Sequence, residues 1–153
     1  MKVALVQLNY IIGDFEGNAQ KMIANIQKAK KEGADLVVFS ELSVTGYYPH
    51  DLLEKKEFIQ KAEETVKKIA SECKEIAAVV GAPRINENER GKRLFNSALF
   101  LTDRKIHSAH NKTLLPTYDI HHEYRDVEPN LEINVVEYKG EKVAVTICED
   151  LSD

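Results

Sequence analysis

The sequence predicts an α/β fold built on a mixed sheet with two crossover helices. Three observations predict it. Short runs rich in Val, Leu and Ile alternate with two segments of helical periodicity. The first three runs follow the order β-α-β-α-β, which calls for parallel strands joined by crossovers. Two later pairs of strand-like segments are separated by tight turns, which makes each pair antiparallel.

The first strand is expected at Lys2 to Leu8, and the loop GDFEGN follows it. Asn18 is the expected helix cap. Ala19, Met22, Ile23, Ile26 and Ala29 then recur at helical spacing, and Gly33 closes that helix. Asp35 to Ser40 (DLVVFS) is a short apolar strand of the kind buried on both faces. After the loop ELSVTGYYPHDLL, a second helix is expected from about Lys55 to Cys73, with Phe58, Ala62, Val66, Ile69 and Cys73 as its inner stripe. Ile76 to Val80 is the next buried strand. The polar loop INENERGKR leads to a strand at Leu94 to Thr102, and Asp103-Arg104 turns into Lys105 to Lys112. Thr113 to Asn130 has no clear period. Leu131 to Tyr138 and Glu141 to Cys148 pair across Tyr138-Lys139-Gly140. No repeat, linker or internal domain boundary is visible.

Composition narrows the function classes. The 153 residues fit one domain, and 43% apolar with 30% charged is ordinary for a globular chain. A net charge of −4 without a basic, aromatic-interleaved stripe excludes nucleic acid as the expected partner. Apolar runs fall short of the ~18 residues of a membrane span, and MKVALVQLN lacks the features of a signal peptide. Two cysteines, Cys73 and Cys148, make no disulfide framework, which suits a reducing cytoplasm.

The chemistry lies at strand ends. Glu41 follows DLVVFS, Lys112 ends KIHSAHNK and Cys148 ends VAVTIC. The carboxyl ends of α/β strands are where such folds place their sites. A thiolate is the competent nucleophile, a carboxylate can take the thiol proton, and an ammonium suits an oxyanion. Each residue also has a plainer reading. An isolated cysteine is usually a small buried hydrophobe, and that is the expectation for Cys73.

The flanks of the three residues decide between these readings. FSELSVTGY, NKTLLP and ICED resemble the three motifs of the nitrilase, or carbon–nitrogen hydrolase, superfamily. MKVALVQLN with GDFEGN, TGYYPHDLL and LPTYDIHHEYR further resemble the glutaminase domain of the glutamine-dependent NAD synthetase family. The resemblance implies an α-β-β-α sandwich, present as its N-terminal part over residues 1–153, with the synthetase domain absent. It implies Glu41 as general base, Lys112 as oxyanion lysine and Cys148 as nucleophile. Tyr118 and Glu149 become substrate contacts, and Glu123 a support for the lysine. The implied substrate is glutamine or another small carboxamide. No cofactor is implied for the amidase step, whereas ATP and Mg²⁺ belong to the synthetase domain, which would be the partner in a full-length enzyme. The resemblance also implies a homo-oligomer. Tyr48, Asp119, His121-His122 and Ser152 depart from the family pattern around the pocket.

Several rivals are open to the sequence. His107, His110, His121 and His122 with Asp119 and Glu123 suggest a metal site. Against it, residues three apart in a strand point to opposite faces, so His107 and His110 should diverge. His110 is an alternative base for Cys148. A third reading is an inactive assembly module, and a fourth is a stand-alone amidase acting on a different carboxamide.

Overall fold

Alternation of buried strands with amphipathic helices gives the arrangement the sequence predicts. The computed structural model describes residues 1–86, 94–112 and 135–147. Their elements run β1 (Val3–Leu5), α1 (Phe15–Lys31), β2 (Leu36–Val38), α2 (Lys56–Ala70), β3 (Ala77–Ile85), β4 (Leu94–Thr102), β5 (Lys105–Asn111), β6 (Val135–Tyr138) and β7 (Glu141–Ala144). A short 3₁₀ helix spans His50–Glu54. Among the described residues, five strands form one sheet in the order β1-β2-β3-β4-β5. β1, β2 and β3 are parallel, as their crossover helices require, and β4 and β5 are added as antiparallel hairpins. β5 therefore runs in the same direction as β2.

Both helices cover one face. Ala19, Met22 and Ile26 of α1 join Ile59, Ala62, Val66 and Ile69 of α2 in the main core, which also takes in Val37, Val80, Leu99 and Leu101. Phe15 meets Phe58 across the helix pair with ring centroids 5.0 Å apart. The expected inner stripe of α2 is buried throughout, Cys73 included. The other face carries a second cluster of Leu36, Ala77, Val79, Ala98 and Phe100, against which Val136 and Ile147 pack. Helices, sheet and hairpin thus form three layers, the α-β-β part of the expected sandwich. Among the described residues no helix is long and apolar enough to cross a membrane.

Several boundaries differ from the sequence reading. α1 starts at Phe15, with Asp14 as its cap: Asp14 Oδ1 accepts the Gly17 N–H at 3.0 Å. Asn18 is inside the helix and does another job, described below. α2 ends at Ala70, and the chain reaches Cys73 through tight i→i+3 turns, with Cys73 N–H donating to the Ala70 carbonyl. β3 continues past Val80 to Ile85. β2 pairs with it only as far as Val79, so Pro83 lies where one side of the ladder is free and its missing N–H breaks nothing. The last hairpin does not extend the main sheet. β6 and β7 form a two-stranded sheet of their own and β7 stops at Ala144, so Cys148 lies four residues beyond a strand rather than at its end. The apolar face of the main sheet holds the hairpin by packing, not by a shared ladder. The predicted loop INENERGKR from residue 87 on, the aperiodic segment after Lys112 and the strand start at 131–134 lie outside the described residues.

Candidate active site

The topology explains why Glu41 and Lys112 meet. Both follow strands that point the same way, so both emerge at one edge of the sheet. β2 and β5 are nevertheless three strands apart, about 14 Å at the usual spacing. Three features close that distance.

The first is the path of the chain after β2. The segment from Ser40 to Gly46 passes over β3. Val44 N–H donates to the Gly81 carbonyl at 3.0 Å, and Gly81 N–H donates to Ser43 Oγ at 3.1 Å. Gly81 is required there: a Cβ on it would sit 2.3 Å from Leu42 N and 3.0 Å from the Glu41 carbonyl carbon. Leu42, Ser43, Val44 and Thr45 are all buried, and backbone buried in a loop must find partners. Asn18 supplies some of them. Its Nδ2 donates to the Val44 carbonyl at 3.3 Å and the Ile11 carbonyl at 2.9 Å, while its Oδ1 accepts the Ile11 N–H at 3.0 Å.

The second is Lys112 itself. Its side chain is fully buried and spans from the end of β5 to Glu41, where Nζ lies 2.9 Å from Oε1. A buried ammonium is tolerable only when paired, and Glu41, with its side chain 19% exposed, is a partner that reaches it.

The third is Asn96, on the intervening β4. It is buried, its Nδ2 donates to Glu41 Oε1 at 3.1 Å, and its backbone carbonyl accepts the Lys112 N–H at 2.9 Å.

Glu41 opens onto a cavity of about 240 Å³. Asn96, Ser97 and Ala98 line it on one side and Val143 to Ile147 on another. Ile147, the residue before Cys148, is buried in this wall. Cys148, Tyr118, Glu123 and Glu149 lie outside the described residues. Cys73 is a buried free thiol far from this edge in the fold, bonded weakly to the Ile69 carbonyl at 3.6 Å. Burial pushes its pKa up to about 12, so it is a core residue and not a nucleophile.

The histidines behave differently from the simple alternation argument. The β4–β5 ladder shifts register between Phe100 and Leu101. As a result His107 packs edge-on against Phe100, 5.9 Å between centroids, on the side that His110 also faces from its place opposite Ala98. Burial lowers the His110 pKa, and the nearby His107 lowers it further. His110 Nε2 is taken up with Ser108 Oγ at 2.8 Å. Among the described residues no three His, Cys, Asp or Glu side chains gather as a metal set would require. Asp119, His121, His122 and Glu123, the other members of the suggested cluster, lie outside the described residues.

The carbon–nitrogen hydrolase profile matches residues 2–152, nearly the whole chain. The chain belongs to the carbon–nitrogen hydrolase family. Its relatives narrow the family further. It is 37% identical over 150 residues to a glutamine-dependent NAD(+) synthetase of Acinetobacter baylyi, covering 98% of this chain and 27% of that protein. The match to the Thermotoga maritima glutamine-dependent NAD(+) synthetase is 36% over 151 residues, 99% of this chain and 26% of the relative. The glutamine-dependent NAD+ synthetase of Acinetobacter baumannii, solved with ADP, superposes with a TM-score of 0.86 at 40% identity, over 97% of this chain and 28% of that one. An amidase from Nesterenkonia sp. shares the fold, with a TM-score of 0.82 at 21% identity over 100% of this chain and 57% of the amidase. The chain thus spans about a quarter of the length of the synthetases it resembles, and it corresponds to an N-terminal part of their hydrolase domain.

Sequence reasoning singled out Glu41 and Lys112, which the fold brings 2.9 Å apart, and passed over what Asn18, Gly81 and Asn96 do around them. Two signals were present. A glycine inside a strand marks a close backbone approach, and the polar pair Asn96-Ser97 interrupts an otherwise apolar strand.

Proposed function

We propose that the chain is the glutamine-hydrolysing part of a glutamine-dependent NAD synthetase. The observation that carries this reading is the contact of buried Lys112 with Glu41, 2.9 Å apart, at a cavity whose wall includes the residue preceding Cys148. The relatives supply the substrate class.

In this reading Glu41 takes the Cys148 thiol proton, and the thiolate attacks the side-chain carboxamide carbon. The new C–S bond leaves an oxyanion, held by Lys112 and the Glu149 backbone N–H. Such a donor is worth roughly 3–4 kcal/mol in the transition state. The C–N bond then breaks as Glu41 returns the proton to the departing nitrogen, and ammonia leaves. Water, deprotonated by Glu41, hydrolyses the thioester to glutamate and the free thiol. Tyr118 and Glu149 contact the substrate, and Glu123 supports Lys112. The amidase step needs no cofactor. ATP and Mg²⁺ serve the synthetase domain, the partner that would receive the ammonia. A cytoplasmic location and a homo-oligomeric assembly complete the proposal, in keeping with the family resemblance.

A glutamine-analogue electrophile such as a diazoketone tests the reading without requiring turnover. Mass spectrometry should locate one adduct, on Cys148, and excess glutamine should suppress it. Glu41→Gln should slow labelling by at least about a hundredfold, at the low end of what a positioned acid–base group contributes. Folded protein that stays unlabelled at Cys148, or labels equally with Glu41→Gln, would falsify the mechanism. Suppression by simple aliphatic amides but not by glutamine would instead support the stand-alone amidase.

A further inference from the structure

Glu41 has two carboxylate oxygens, and the fold treats them differently. Oε1 accepts from Asn96 Nδ2 at 3.1 Å and from Lys112 Nζ at 2.9 Å. Among the described residues none hydrogen-bonds Oε2, while Glu41 lines the cavity. The orientation of the Asn96 amide follows from chemistry, since an ionised carboxylate only accepts and so must be faced by the NH₂ group.

We propose that Asn96 is a positioning residue that holds Glu41 Oε1 and thereby reserves Oε2 as the oxygen that exchanges the proton. This deepens the proposed function and rests on Glu41 being the base. Three points support it. Asn96 is 1% exposed on a central strand, a rigid place from which to aim a neighbour. A polar side chain buried in an apolar strand carries a desolvation cost that its bonds must offset. Asn96 also grips both partners at once: its carbonyl fixes the Lys112 backbone while its amide fixes the Glu41 carboxylate. With Oε1 held by two donors, the lone pairs of Oε2 are left to face the cavity. In the proton step the S–H bond breaks and an O–H bond forms on Oε2, and the reverse transfer delivers the same proton to the departing nitrogen.

Both donors fix the carboxylate through Oε1. Removing one of them lets the carboxylate turn Oε2 away from the thiol, a loss that solvent hydroxide makes good as pH rises. The experiment is the rate of Cys148 alkylation by iodoacetamide against pH, in the whole chain, with adduct sites read by mass spectrometry. Cys73 serves as the internal control and should stay unmodified while the protein is folded. Asn96→Ala should lower the rate about tenfold at the acid end of the profile, part of the roughly 10²–10⁴-fold that a positioned base contributes, and the deficit should shrink as pH rises. Asn96→Asp, nearly isosteric, sets an acceptor against Oε1 where a donor stood, pushes the carboxylate away and should deepen the deficit at the acid end. Thermal melting identifies any variant that does not fold, and the isosteric Asp variant keeps the test open if the Ala variant fails. An unchanged profile in both variants, or an equal loss at every pH, would overturn the proposal. Glu41→Gln separates this failure from that of the mechanism. If that variant keeps the wild-type profile, Glu41 is not the base at all. If it loses the acid limb while both Asn96 variants keep theirs, only the role of Asn96 is wrong.

Discussion

Gly81 shows how one missing side chain can hold a site together. The Glu41 loop crosses β3 at this residue because Lys112 approaches from three strands away. A methyl group at Gly81 would meet Leu42 N at 2.3 Å, a backbone atom and not the end of a flexible side chain, so the backbone itself must shift. Gly81→Ala should therefore push the loop outward and separate Glu41 from Lys112. Misplacing a reacting group by about 1 Å costs roughly a hundredfold, so Cys148 labelling should fall by that order while the helices persist by circular dichroism. Unchanged labelling would show that the loop has slack. At this scale the sequence was partly legible. Glu41 and Lys112 stood out through their flanking motifs. Asn96 did not, because a single sequence shows a polar residue in a strand without showing which distant carboxylate it faces.

At the scale of the element, α1 does more than cover the sheet. Asp14 caps it with one bond, and Asn18 ties it to the loops on either side with three. Asp14→Ala removes an exposed cap and should cost about 1 kcal/mol. Asn18→Ala strands the buried Val44 carbonyl and removes two partly buried bonds to the Ile11 backbone, and should cost more, about 2–3 kcal/mol by urea titration. It should also impair Cys148 labelling, because the Val44 carbonyl belongs to the Glu41 loop. Equal effects of the two substitutions would mean that the Asn18 bonds do not support the loop. The sequence places the helix correctly and its cap too late, at Asn18 instead of Asp14. Gly17 lowers local helix propensity, and Asn18 is as good a cap by residue type as Asp14. Only the fold, which brings the Ile11 and Val44 backbones within hydrogen-bonding distance of Asn18, decides between them.

At the scale of the whole molecule, the last hairpin carries the chain toward Cys148. It is tied by exposed ion pairs, Lys139 Nζ to Asp35 Oδ1 at 2.7 Å and the N-terminal ammonium to Glu141 at 3.3 Å. Exposed pairs of this kind contribute little. Apolar contact contributes more: Val136 and Ile147 are buried on the second face, and Tyr138 meets Phe100 with centroids 5.5 Å apart. Val136→Asp should thus release the hairpin, destabilise the protein by about 3 kcal/mol and abolish Cys148 labelling. Lys139→Ala should leave the melting temperature within error. The reverse ranking would mean that charge, not burial, seats the hairpin. The sequence foresaw this hairpin and its Lys139-Gly140 turn, where both residues take positive φ, but joined it to the main sheet. Strand pairing and face packing both require apolar residues, and a linear pattern does not distinguish them.

The sequence by itself determined the α/β class, the parallel core with its two helices, the family, and the two charged residues that meet. These follow from local periodicity and short motifs, which are properties of neighbouring residues. Tertiary structure alone decided that Gly81 gives way to the Glu41 loop, that Asn96 binds the carboxylate, that a register shift turns His107 toward Phe100, and that β6 and β7 form a separate layer. Each of those depends on residues far apart in the chain competing for the same few ångströms, and the order of residues along a chain does not record that competition.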